Sequence, residues 1–199
     1  NGPGKSLWEE SGIQGWYFGH RDEPIRETVR RMAALPMAAQ PRSRFVYGYN
    51  TDILGALVEV VSEAPLDTFL DRNIFGPLGM DDTHFYLPVS KRERLATVYS
   101  ASADASPVTR TPALSAMVGQ GAYVDGPRKS FSGGAGLLST ANDYGRFLDM
   151  LQGSGSLGRV QVLSPKTVEL MTVDHIDGVP YRGGNGFGLG FNVLEDLGS

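Results

Sequence analysis

The run Phe45-Val46-Tyr47-Gly48-Tyr49-Asn50-Thr51-Asp52-Ile53-Leu54-Gly55 decides how this chain is read. Two tyrosines stand directly before a stretch, Thr51 to Ser62, whose apolar residues recur at helical spacing. Ile53, Leu54, Leu57, Val58 and Val61 form the stripe expected to be buried. Tyr47 thus precedes a helix N-terminus, where free N–H groups and the helix dipole favour negative charge. A tyrosine phenol needs roughly 4 kcal/mol of help to act as a base near neutrality, and a helix terminus supplies at most about 2. A cation must supply the rest, and residues 45–55 contain no Lys or Arg. Two readings follow from the residues alone: Tyr47 is a base assisted from elsewhere, or Tyr47 and Tyr49 are packing aromatics in a turn.

Outward from this run the chain reads as helices and loops. Residues 1–20 are rich in Gly and aromatics, with Trp8, Trp16, Tyr17 and Phe18, and predict an ordered loop. Asp22 as cap, Pro24 in the first turn, and Ile25, Val29, Met32 and Leu35 predict a helix ended by Pro36. Another starts at Pro65, carries Leu66, Phe69, Leu70 and Ile74, and is expected to stop at Gly76-Pro77. Residues 81–130 carry no strong period. Thr140-Ala141-Asn142-Asp143 has the form of a capping box and opens a helix with Tyr144, Phe147, Leu148 and Leu151 on one face, closed by Gly153. Ser164-Pro165 starts a short helix through about Met171. Phe187, Leu189, Phe191 and Val193 alternate with Gly188, Gly190 and Asn192, which predicts a strand with one nearly bare face.

Composition narrows the function classes. The 199 residues carry 18 Lys+Arg against 22 Asp+Glu, a formal charge of −4, so no basic stripe is available to neutralise nucleic-acid phosphates. The absence of Cys removes disulfides, thiolate nucleophiles and Cys-ligated metal sites. The most apolar stretch, Ile53 to Val61, is interrupted by Glu59 and is far shorter than the roughly 20 residues of a membrane span. The chain opens at Asn1 without Met or a signal-peptide pattern, which leaves the compartment undecided.

Searches for local chemistry return mostly absences. His20, His84 and His175 are widely separated, so no metal site and no cofactor is expected. Gly153-Ser154-Gly155-Ser156-Leu157-Gly158 fits a dinucleotide fingerprint but follows a helix, and reads as a turn. No Ser has Gly two residues away on both sides, and none of Lys5, Lys91, Lys129 and Lys166 follows a Ser by three, so there is no nucleophile elbow and no S-x-x-K. Lys166-Thr167-Val168 begins like K-T-G but lacks the Gly.

Three ordered segments carry a resemblance. Tyr47 to Gly55, continued through Ser62 and Pro65 to Thr83, is the first. Ser132-Gly133-Gly134-Ala135-Gly136-Leu137-Leu138-Ser139-Thr140-Ala141-Asn142-Asp143-Tyr144-Gly145-Arg146-Phe147 is the second, and Gly186-Phe187-Gly188-Leu189-Gly190-Phe191 the third. Together they resemble the class C beta-lactamase-like serine hydrolases, which include family VIII carboxylesterases, beta-lactamases and DD-peptidases. The resemblance implies an α+β, beta-lactamase/DD-peptidase-like fold. Residues 1–180 would supply mainly its helical, loop-rich part, and residues 181–199 a strand of its α/β sheet.

In that family the serine of an S-x-x-K motif attacks an ester or lactam carbonyl, assisted by its lysine and a tyrosine. The resemblance places the tyrosine role on Tyr47, with Tyr49 and Asn50 supporting it. The family's Y-x-N would put Asn where Tyr49 stands, a departure that favours an esterase over an efficient beta-lactamase. Gly134, Ala135, Gly136 and Leu137 would line the acyl pocket, or equally form a tight turn before the helix cap. The implied partner is a small-molecule ester or lactam. The family's S-x-x-K precedes the tyrosine motif and its third motif follows the Gly-Phe strand. Residues 1–199 are therefore expected to lack both flanking catalytic segments, to need the remainder of their own fold as partner, and to be inactive alone. The alternatives are a non-catalytic binding or structural relative, and DD-peptidase or beta-lactamase activity instead of esterase activity.

Overall fold

The computed structural model describes residues 5–13, 18–100, 108–110, 121–176, 178–179, 181 and 185–194. Trp16 and Tyr17, parts of the 81–130 stretch, and residues 195–199 of the terminal segment lie outside them. Eight helices recur among the described residues: α1 (Lys5–Glu10), α2 (Ile25–Ala33), α3 (Asn50–Ser62), α4 (Leu66–Leu70), α5 (Gly76–Leu78), α6 (Gly121–Asp125), α7 (Ala141–Gln152) and α8 (Pro165–Met171). A π turn, Asp71–Phe75, stands between α4 and α5, and a 3-10 turn spans Val89–Arg94. Six two-residue strands pair antiparallel as three ribbons: β1 (Tyr99–Ser100) with β2 (Thr109–Arg110), β3 (Ser156–Leu157) with β4 (Val160–Gln161), and β5 (Gly186–Phe187) with β6 (Asn192–Val193).

These elements form two compact units. The first comprises residues 1–36, 49–71 and 82–140; the second comprises residues 37–48, 72–81 and 141–199. In the first, Ile13, Phe18, Ile25, Met32 and Ala56 form a buried cluster, with Trp8, Val29, Leu35 and Tyr49 packed against it. Leu66, Phe85 and Tyr86 form another, which Phe131 joins edge-on to both rings at 5.5 and 5.7 Å. The Tyr86 hydroxyl donates to the Ser130 carbonyl at 2.7 Å, and His84 and Leu138 exchange backbone hydrogen bonds of 2.9 and 2.8 Å. In the second unit α5 lies against α7, and the Arg146 Nε donates to the Leu78 carbonyl.

Where the periods were local, the elements form as the sequence predicts. The α8 helix begins at Ser164, whose Oγ accepts from the Thr167 N–H at 3.1 Å, with Pro165 in the first turn. The residues 153–158 fingerprint is a turn leading into β3, with Ser154, Gly155 and Gly158 at φ of 54°, 93° and 59°. Lys166 lies in the first turn of α8.

Several expectations are corrected. Residues 5–10 are helical rather than loop. Asp22 does not cap α2: Pro24 occupies that position, and Asp22 pairs with Lys129 at 2.6 Å. Gly76-Pro77 does not stop the helix. The widened π turn accommodates a proline that has no N–H to donate, and Gly79, at φ 64°, ends the segment. The alternating segment 187–193 is two strands, because the Gly188 N–H donates to the Phe191 carbonyl at 2.7 Å and Gly190 adopts φ 91°.

The largest correction concerns which faces are buried. In α3 the buried residues are Asp52, Gly55, Ala56 and Glu59, while Ile53, Leu54, Leu57, Val60 and Val61 are exposed. In α7 Asp143 and Met150 are buried, and Tyr144 and Leu148 are exposed. The buried sets are spaced by three, four and seven residues, so the helices were correctly periodic. On the inner face of α3, position 55 has no room for a side chain. A Cβ on Gly55 would stand 2.9 Å from Leu66 Cδ2 and 3.1 Å from Gly133 Cα.

Charge pairs tie α2 and α3 into the first unit. Glu23 accepts from Arg31 Nη1 at 2.8 Å and from the Thr28 hydroxyl at 2.7 Å, and these contacts, Arg31 foremost, hold its carboxyl down to about 2. Because the folded value lies below the ordinary 4.5, the pair stabilises the fold above that pH and the contribution is lost as pH falls towards about 2. Arg31 is 38% exposed, so solvent screening reduces the effect to about 1–2 kcal/mol. Urea unfolding from neutral pH to about pH 2.5 is expected to show Arg31→Ala losing less stability than the parent by that amount; parallel losses would remove the pair's role.

Candidate active-site segments

Tyr47 belongs to the second unit and Tyr49 and Asn50 to the first. The chain before Tyr47 is anchored by Phe45, whose ring meets Tyr181 at 4.5 Å and Phe187 at 5.4 Å. Tyr47 itself is 74% exposed. Two residues on, Tyr49 is half-buried, stacks on Trp8 at 5.7 Å and meets Phe18 at 5.4 Å. Burial, then the nearby Asp52 charge, pushes its phenol above the ordinary value, which suits packing better than proton transfer. Asn50 is exposed and begins α3.

The loop read as acyl-pocket lining, Gly134, Ala135, Gly136 and Leu137, lies in the first unit, as do Tyr49 and Asn50, and is joined to the first turn of α3. The joint is Asp52, which is 2% exposed. Its Oδ1 accepts a short hydrogen bond from the Ser132 hydroxyl and a longer one, 3.3 Å, from the Gly134 N–H. The Ser132 Oγ accepts in turn from the Ala135 N–H at 3.3 Å. Burial pushes the Asp52 carboxyl above its ordinary value, and the Ser132 and Gly134 donors oppose that shift. Among the described residues no cation pairs with Asp52. Glu59, one heptad further along α3, accepts from the Leu66 N–H at 3.0 Å and lies 3.3 Å from Arg26 Nε.

Each glycine of this loop has a reason within the chain. A Cβ on Gly133 would stand 2.2 Å from the Thr51 carbonyl, and one on Gly134 2.6 Å from Asp52 Oδ2. Gly136 adopts φ 114°, with Tyr123 Cε1 and Oη each 3.1 Å from where a Cβ would be. Sequence reading passed over Asp52 and Ser132. The available signal was a lone acidic residue in the first turn of an otherwise apolar helix, and a Ser directly before the Gly-Gly pair.

The sequence profile of the Beta-lactamase family matches residues 9–198. The chain belongs to that family. Protein Rv1367c of Mycobacterium tuberculosis is 37% identical over 174 residues, a match covering 83% of this chain and 41% of that protein. Esterase EstB of Burkholderia gladioli is 32% identical over 156 residues, covering 74% of this chain and 39% of its own. Among solved structures, EstCE1, described as a hydrolase with promiscuous acyltransferase activity, superposes with a TM-score of 0.74 at 28% identity, over 95% of this chain and 50% of that one. The fold is thus the beta-lactamase and penicillin-binding-protein fold. This chain spans half or less of the length of these relatives. No helix among the described residues is long and apolar enough to cross a membrane.

Proposed function

We propose that residues 1–199 are the tyrosine-bearing part of a beta-lactamase-like serine hydrolase acting on small carboxylic esters, with Tyr47 as general base and the nucleophile of a Ser-x-x-Lys supplied from outside this chain. The observation that carries the proposal is the family match across residues 9–198, which includes the Tyr47–Gly55 run and the glycine loop. Relatives named as an esterase and as a hydrolase with acyltransferase activity point to acyl transfer. Tyr49, standing where the family pattern has Asn, favours esters over lactams.

The reaction has two halves. The serine oxygen bonds to the ester carbonyl carbon while its proton passes to Tyr47, assisted by the lysine; the tetrahedral oxyanion then collapses, expelling the alcohol, which takes the proton. Water attacks the resulting acyl-enzyme, releasing the carboxylic acid and restoring the serine hydroxyl. Tyr49 packs on Trp8 and Phe18, and residues 134–137 shape the acyl side.

The experiment is a comparison of the natural polypeptide with residues 1–199 alone, using a p-nitrophenyl ester and intact-mass detection of an acyl adduct. Turnover and an adduct on the natural polypeptide, with neither on residues 1–199, are the expected results. Tyr47-dependent turnover by residues 1–199 would contradict the external nucleophile. A natural polypeptide that neither turns over nor acylates would favour a non-catalytic relative.

A further inference from the structure

The geometry points to Asp52 as the positioning residue of the glycine loop: through Ser132 and the Gly134 N–H it clamps residues 132–135 onto the first turn of α3, and so sets where the loop presents its acyl-facing backbone. The positioning of substrate rests on the reading of residues 134–137 as pocket lining; the clamp itself rests on the hydrogen bonds.

Three features distinguish Asp52 from an ordinary buried carboxylate. It is 2% exposed, yet among the described residues no cation compensates it, whereas Glu59 on the same helix face has Arg26. A buried charge without a cation is costly unless donors satisfy it, and here two of its donors come from one short loop. Those donors are linked, since the Ser132 oxygen that donates to Asp52 also accepts from the Ala135 N–H at 3.3 Å. One carboxylate therefore fixes three points of the loop: a side chain at 132, and backbone N–H groups at 134 directly and at 135 through Ser132.

The loop needs such a clamp because it has little of its own. Gly133 and Gly134 bring no side chains to pack, and glycine loses more conformational freedom on ordering than any other residue. Gly134 is also seated so closely that a Cβ would stand 2.6 Å from Asp52 Oδ2, so loop and carboxylate fit as a pair. Hydrogen bonds to a charged group are about twice as strong as neutral ones, which gives a carboxylate an advantage over an amide here. Asn at position 52 keeps the shape and one acceptor but loses the charge.

Amide hydrogen exchange on the natural polypeptide tests the clamp directly. Asp52→Asn is expected to accelerate exchange at Gly134 and Ala135 by about tenfold or more, with the α2 amides unchanged. Ser132→Ala should accelerate Ala135 similarly while leaving Asp52 in place. Glu59→Gln, which disturbs the same helix, should leave the loop amides unchanged. Unchanged loop exchange in both Asp52→Asn and Ser132→Ala overturns the clamp, as does uniform acceleration across the first unit. In the natural polypeptide, Asp52→Asn should raise KM for a p-nitrophenyl ester by about tenfold with a smaller change in kcat. A loosened loop in a polypeptide with no esterase activity would uphold the clamp and defeat the hydrolase reading. A loosened loop with KM unchanged would overturn the substrate-positioning role.

Discussion

Tyr47→Phe, made in the natural polypeptide, is expected to lower kcat for ester hydrolysis by about 10²–10⁴-fold, the usual contribution of a positioned acid–base group. The substitution removes one oxygen and leaves the ring. Tyr47 is 74% exposed within residues 1–199 and the substitution keeps its ring, so the melting temperature should move by no more than a few degrees. KM should change little, because the hydroxyl is asked to move a proton rather than to hold substrate. The segment that carries Tyr47 is fixed by Phe45 against Tyr181 and Phe187, contacts that the substitution does not touch. Rate and stability together make the result decisive: a large loss of kcat at constant stability assigns Tyr47 to the chemistry, and an unchanged kcat removes it. Tyr49→Phe supplies the contrast. Its ring packs on Trp8 and Phe18, which Phe retains, so activity should fall far less than for Tyr47→Phe.

Gly133→Ala should be strongly destabilising, lowering stability by about 2–4 kcal/mol and the melting temperature by about 5–10 °C. The added methyl would stand 2.2 Å from the Thr51 carbonyl oxygen and 3.2 Å from Gly55 Cα. Both obstacles are α3 backbone, which cannot swing aside as a flexible side chain can. Relief therefore requires the loop to lift from the helix, breaking the Asp52 contacts with Ser132 and Gly134. Gly48→Ala is the control, since a Cβ there meets nothing within 4 Å. A Gly133→Ala variant melting with the parent would show that α3 and the loop are not in close contact.

How much was legible in advance depended on how far apart in sequence the deciding contacts lie. The α8 helix was read almost residue by residue, because Ser164, Pro165 and Thr167 settle its start within four positions. The α3 helix was located, but within residues 1–199 only Val58 of the expected stripe is partly buried, against Leu66, Phe85 and Tyr86. Periodicity counts apolar side chains and does not register the close approach of Gly133 to Gly55, which brings the Asp52 face of the helix inward. Residues 81–130 had no period to read, and His84 and Tyr86 within them bond to distant partners, the Leu138 backbone and the Ser130 carbonyl.

The sequence by itself determined the family, through three ordered motifs, and it named Tyr47 and the 134–137 loop as the places to look. It also showed that residues 1–199 themselves supply no thiol. The tertiary structure alone decided that Asp52, eighty residues from Ser132, bonds to that side chain and to the Gly134 N–H, and that Tyr49 packs half-buried on Trp8 and Phe18. A motif records which groups a reaction needs, and those can be adjacent in sequence. A buried carboxylate is matched to its donors by desolvation, which acts on neighbours in space wherever they lie along the chain.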